Sequence, residues 1–390
     1  MRRKLFIILL IIVMIMTTLV GCTKKNEAVI TAKEWEKQYG NVYQTYMKNS
    51  EMVATAYGGS VPVNYLEKFP FLNTLYDGNV FSAEYLRARG HTFGIEDVIN
   101  TDRPQAGASC LACKTAEFVT LLEEKGVEAN SMPFDEVARM DMEAISCYDC
   151  HKNEPGTINL TRKHLTTAIE GQEHPDGNLV CAQCHVEYYL SKDALEVKLP
   201  LAHGFHPKEM LAYYNEIEFA DWTHPRAGSN LLKAQHPEFE TLQGSIHNKA
   251  GATCITCHMP STEVGGENIK SHHWTSPLIA TMDKSCMKCH AGETEDELRA
   301  RVEGLQEGIL NKTNECGEQL VVLIETLEAA INSGASEESL KAAQELHREA
   351  QFYFDFVLVE NSEGFHNNKL ANELLNESLK LTNEAIALLN

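Results

Sequence analysis

Apolar and polar positions divide the chain into stretches that follow different rules. Arg2, Arg3 and Lys4 precede an apolar run from Leu5 to about Val20, which closes on Leu19-Val20-Gly21-Cys22. A charged start and a short apolar run describe a secretory signal. The small residue before a cysteine resembles a bacterial lipoprotein cleavage box, which makes Cys22 a candidate lipidated first residue. The competing reading is an uncleaved anchor, for which the run is slightly short. Residues 23–48 are polar and charged, a tether leading into a helix around Ala32–Met47. Residues 49–292 show no sustained period and are rich in turn formers. From about Glu293 a helical period sets in, with Val302, Leu305 and Ile309, then Leu320, Leu323 and Leu327 on one face. Gly334 reads as a helix stop, Ser336 as the cap of a helix from Glu337 to about Val359, and a last helix runs from about Asn368 to Leu389. The pattern predicts a mainly α protein: residues 1–22 as leader, 23–48 as tether and first helix, 49–292 as an irregular block with little strand, and 293–390 as long amphipathic helices suited to self-association.

The cysteines explain the irregular block. Of twelve, ten form five Cys-x-x-Cys pairs, leaving Cys22 and Cys316, the latter read as structural. Four pairs run directly into histidine: Cys147, Cys150 and His151; Cys181, Cys184 and His185; Cys254, Cys257 and His258; Cys286, Cys289 and His290. Disulfide or zinc readings give no reason for that histidine. Covalent haem does: two thioethers hold the vinyl groups and the histidine ligates iron. The first pair, Cys110 and Cys113, is followed by Lys114 instead. Five haems replace much apolar core, so long irregular connections become tolerable. The block is thus a multihaem c-type cytochrome.

Five haems have ten axial positions, and the four motif histidines and Lys114 fill half of them. Electron-carrying haems are usually six-coordinate, so four more ligands are wanted if one haem keeps an open face. The remaining histidines exceed that demand, and counting does not choose among them. The Lys114 haem is where an open face makes sense. A neutral amine donates to iron without an imidazole π system, which sets this haem apart from its neighbours. The formal charge of −21 argues against nucleic acid and anionic membrane surfaces as partners, and requires a local positive site for any anionic substrate.

A leading Cys-x-x-Cys-Lys followed by four Cys-x-x-Cys-His sites resembles the pentahaem, ammonia-forming cytochrome c nitrite reductases. Three further stretches are similar to that family: Cys181-Ala182-Gln183-Cys184-His185-Val186-Glu187-Tyr188-Tyr189, Lys233-Ala234-Gln235-His236-Pro237-Glu238, and Arg89-Gly90-His91 with Asp97-Val98. The resemblance covers about residues 85–290. It implies Lys114 as proximal ligand of the catalytic haem, with Arg103, Tyr188 and His236 around its open face. It implies one calcium ion held by Glu187 and Gln235 side chains and by the Tyr188 and Lys233 carbonyls. It further implies His91, His247 and His366 as distal ligands of the third, fifth and fourth haems. For the second haem the family histidine falls at His272 or His273, and His272 is taken. The stretch from Arg103 to Cys110 is short for the family, which leaves Arg87 and Arg89 as competitors for the arginine.

The implied reaction takes nitrite to ammonium with six electrons and eight protons. Arg103 would bind nitrite oxygen, His236 would supply protons because histidine titrates near working pH, and Tyr188 would assist. The implied partners are a membrane quinol-oxidising cytochrome, the membrane itself through Cys22, and a second copy through the C-terminal helices, on the extracytoplasmic face of the cytoplasmic membrane. A multihaem electron carrier without catalysis, or the same enzyme type acting on hydroxylamine or sulfite, are the alternatives.

Overall fold

A computed structural model describes residues 28–390, so the leader and Cys22 lie outside the described residues. The chain is mainly helical, as its pattern predicts. Its strands among the described residues are four short antiparallel pairs, such as Tyr189–Leu190 with Val197–Lys198 and Ser261–Val264 with Glu267–Lys270. The helix expected around Ala32–Met47 is two helices, Ala32–Trp35 and Gly40–Met47, separated by Glu36–Tyr39. The poor helix former Gly40 stands at the second start, and Thr31 forms a capping box with Glu34 at the first.

Through the irregular block, helices rarely exceed two turns. Two of the haem motifs are themselves helices, Cys147–His151 and Cys254–His258. Helical spacing sets both cysteines and the histidine on one face, because positions three and four apart are neighbours. The helix Asp176–Ala182, which leads into the third motif, packs against Cys254–His258. Asn178 Oδ1 accepts from Cys254 N at 3.0 Å, and a Cβ at Gly177 would lie 2.8 Å from Ile255 and Thr253, so only glycine permits the approach.

Three long helices complete the chain: Glu295–Ser333, Glu337–Leu358 and Asn368–Leu389. Thr294 and Glu297 form a capping box at the first start, Gly334 at its end is left-handed at φ 78°, and Ser336 caps the second helix by accepting from Ser339 N. Leu320, Leu323, Ile324 and Leu327 are fully buried on the inner face. They belong to one core with Leu72, Leu75, Phe352 and Phe354, which joins the helices to the irregular block. Cys316 is buried there, its thiol donating to Leu375 O at 3.4 Å and pushed up to about 12 by burial, so it is unreactive. No described helix is long and apolar enough to cross a membrane.

Candidate active site

A cavity of about 2770 Å³ runs through the irregular block, lined by all ten motif cysteines. Divided by five it gives about 550 Å³ per motif, within the roughly 300–1,000 Å³ of a site for one large ligand. None of the motif cysteines is paired in a disulfide. The residues therefore fit five covalently attached haems, in volume and in chemistry.

Four pairs of imidazoles face each other across this cavity. The ring centroids of His151 and His272 are 6.2 Å apart, those of His185 and His91 5.9 Å, those of His258 and His366 6.2 Å, and those of His290 and His247 6.5 Å. Two imidazoles bonded to one metal from opposite sides, each at about 2 Å, have centroids about 6 Å apart. Most rings are also oriented through Nδ1, which leaves Nε2 for the metal. His151 reaches Thr157 O at 2.7 Å, His258 Thr275 O at 3.2 Å, and His272 Lys270 O at 2.9 Å. His290 and His366 use the carboxylates of Glu293 and Glu360, at 3.0 and 2.6 Å, and His185 lies 3.5 Å from Glu238. His273 stays half-buried beside Lys48 and Glu51.

The motifs abut one another. Cys113 neighbours Cys184, and Cys181 neighbours Cys254. Cys257 neighbours Cys286, and Cys150 neighbours Cys184. The Trp274 ring stands 4.7 Å from His91 and 6.1 Å from His272, between the second and third sites. No site is isolated from the next.

The first motif ends in Lys114 in place of a histidine. The lysine Cδ passes Gly94, where a Cβ would lie 3.3 Å away, so the missing side chain leaves the lysine its path. Arg103, Tyr188 and His236 line the same cavity. The Arg103 charge acts on the Tyr188 phenol, and burial pushes that phenol well above its ordinary value. Arg103 forms no ion pair among the described residues, whereas its competitors are committed. Arg87 donates to Gly59 O and Val61 O at 3.0 and 3.1 Å. Arg89 pairs with Asp97 and Glu96 and stacks over Phe93. Burial draws His236 down to about 4 against the pull of Glu238.

His236 is aimed by three carboxylates that bind the preceding loop. Lys233 N donates to Asp221 at 2.8 Å, Ala234 N to Asp355 at 2.8 Å, and Gln235 N to Glu187 at 2.6 Å. Lys233 Nζ returns to Asp355 at 2.9 Å, completing a buried ion pair. Glu187 also accepts from Tyr214 Oη at 2.9 Å, and burial pushes it to about 8. Asp221 is raised to about 6 for the same reason. Buried carboxylates with so little matching charge suit a cation with oxygen ligands, and Gln235 Nε2, donating to Lys233 O at 3.1 Å, brings an amide oxygen near that carbonyl. Among the described residues no three His, Cys, Asp or Glu side chains converge as a metal site, so amide and carbonyl oxygens would have to complete it. Sequence reasoning missed Asp221, Asp355 and Gly94, which carry no motif.

The family profile described as cytochrome c552 matches residues 31–390. The cytochrome c nitrite reductase subunit NrfA of Nitratidesulfovibrio vulgaris is 32% identical, over 94% of this chain and 79% of its own length. Cytochrome c-552 of Parabacteroides distasonis is 33% identical over 90% of this chain and 73% of its own. Among solved structures, the cytochrome c nitrite reductase catalytic subunit NrfA of Desulfovibrio desulfuricans, described with two calcium sites, superposes with a TM-score of 0.85 at 32% identity. It covers 92% of this chain and 86% of that one. The resemblance in the motifs thus extends over nearly the whole described chain, which belongs to the cytochrome c552 family.

Proposed function

We propose that this protein is an oxidoreductase that reduces nitrite to ammonium at the site of Cys110, Cys113 and Lys114. The observation that carries the reading is the asymmetry of the five sites: four motif histidines each face a second imidazole, and the first motif alone ends in a lysine, Lys114. Five c-type haems would supply the electrons and the iron that binds nitrite. The chain's own residues divide the remaining work. Lys114 would hold the first haem, and His91, His247, His272 and His366 would hold the other four together with their motif histidines. Arg103 brings a fixed positive charge and hydrogen bonds to the nitrite oxygens. His236, held neutral by burial, passes protons by donating from one ring nitrogen while the other accepts. Tyr188, with its phenol held protonated, donates a hydrogen bond. Glu187, Gln235 and the carbonyls of Tyr188 and Lys233 hold calcium, which adds positive charge beside the pocket and stiffens the loop before His236.

The anchoring reading bears on the second haem site, against which Ala28 and Ile30 lie. Asn153, two residues beyond His151, donates to Ala28 O at 2.9 Å and accepts from Ile30 N at 3.2 Å. Ala28 follows Cys22 by six positions, at most about 20 Å of chain. A lipid on Cys22 would hold the second haem site toward the membrane, where a quinol-oxidising cytochrome would deliver electrons on the extracytoplasmic face. Pairing of two copies through the long helices belongs to the same proposal, and a particle near twice 43.6 kDa would report it.

The test is ammonium production from nitrite under a chemical reductant, with hydroxylamine and sulfite in parallel. Replacing His236 by Asn should lower turnover by about 10²–10⁴-fold while a haem assay still returns five. No ammonium from the wild type would leave an electron carrier, and full turnover by H236N would remove the role given to His236.

A further inference from the structure

We infer that Arg162 is the positioning residue for the axial Lys114. A histidine ligand can be oriented through its second ring nitrogen, as His151, His258, His272, His290 and His366 are. A lysine has no second nitrogen and a flexible four-carbon stem, so its position has to be set through the backbone that carries it.

Arg162 sets that backbone. Its side chain is 3% exposed. Nε donates to Ala112 O at 3.1 Å and Nη2 to Thr115 O at 3.4 Å, so the guanidinium clamps two carbonyls that bracket Cys113 and Lys114. Nη1 lies 2.5 Å from Asp149 Oδ1, inside the second motif. The backbone N–H groups of Thr161 and Arg162 both donate to Gln183 Oε1, inside the third motif, at 2.5 and 3.1 Å. Gln183 Nε2 in turn donates to Asp149 O at 3.2 Å. Two adjacent residues thereby tie the interior positions of the first three haem motifs into one knot. Arginine suits the place because its planar fork reaches several acceptors in one fixed geometry, which a lysine ammonium does not. Asp149 balances the charge, so the clamp works by geometry more than by field.

The inference rests on Lys114 being the proximal ligand, and the test separates the two. Low-temperature EPR and near-infrared magnetic circular dichroism of the oxidised five-haem protein should show one haem distinct from four bis-histidine haems. A wild type without such a haem overturns the Lys114 reading and this inference with it. Given a distinct haem, Arg162→Lys should shift or broaden its signal alone. Arg162→Gln combined with Asp149→Asn should do the same without leaving a buried charge unpaired. In both, kcat for nitrite should fall about tenfold to a hundredfold at unchanged KM, the cost of a reacting centre displaced by a fraction of an ångström to one ångström. An unchanged Lys114-haem signal in both variants would overturn the role. So would loss of haem from the first three sites together, which would make Arg162 a general fold pin.

Discussion

The haem block and the three C-terminal helices solve the problem of a core in opposite ways. The helices fill their own interior: Leu320, Leu323, Ile324 and Leu327 are fully buried, and each helix start carries a side-chain cap. The haem block has short helices, four small strand pairs, and a large cavity lined by thiols and imidazoles. There, order is set by polar ties between motifs, such as Arg162 to Ala112 and Asn178 to Cys254. A region whose core is cofactor needs its polar groups to specify position, while a region whose core is leucine needs only a pattern. Yet the two are not independent. The second long helix sends Asp355 to Lys233 and Ala234, and the turn after it places Glu360 on His366 and Asn361 on Glu238. The helices therefore reach the chemistry.

The sharpest way to break the comparison is at that crossing. Replacing Asp355 by Leu would leave the fully buried Lys233 ammonium uncompensated and free Ala234 N. Removing one partner of a buried ion pair costs about 3–5 kcal/mol. The expected outcome is a lower urea midpoint together with reduced nitrite turnover, because the loop that aims His236 loosens. A stability loss with full activity would mean that the helices only brace the block.

A substitution inside the helical core should act on stability alone. Leu323→Ala removes a fully buried side chain and should cost about 2–5 kcal/mol, depending on how far the site collapses. Haem content and turnover of the folded fraction should stay as in the wild type. If haem content fell in step with stability, the leucine core and the haem block would be one cooperative unit.

The same contrast decides what could be read from the sequence. The haem motifs are contiguous, so five attachment sites were legible as five short strings. The long helices were legible because their period is local and their stops, Gly334 and Ser336, stand beside it. The axial partners were not legible from residue chemistry, since His91 and His185 meet across a fold and many histidines serve elsewhere. His224 bonds Thr74 O, His164 bonds Gln183 O, and His203 pairs with Glu216. Only the family resemblance singled partners out. Asp221 and Asp355 reach the loop that Glu187 also binds from two other parts of the chain, with nothing in their neighbours to announce it. The lowering of His236 by burial was likewise not legible, because a reference titration value ignores burial, which the sequence does not display.

Burial also gives the helices a pH dependence of their own. His347 is fully buried on the second long helix, 2.8 Å from Ser229 Oγ and 2.9 Å from Gln351 Oε1. Burial draws it down to about 3, with the nearby His224 acting in the same direction. Folded, it stays neutral; unfolded, it takes a proton below about 6.5. The unfolded chain then binds more protons, so stability falls as pH drops from 6.5 toward 3, by about 1.4 kcal/mol per pH unit for one group. His347→Gln removes the titrating group while keeping a side chain able to hydrogen-bond. Urea unfolding at pH 6.5 and pH 5 should show a shallower loss for H347Q than for the wild type. Equal slopes would assign the acid sensitivity to the haem block and leave the helical core indifferent to pH.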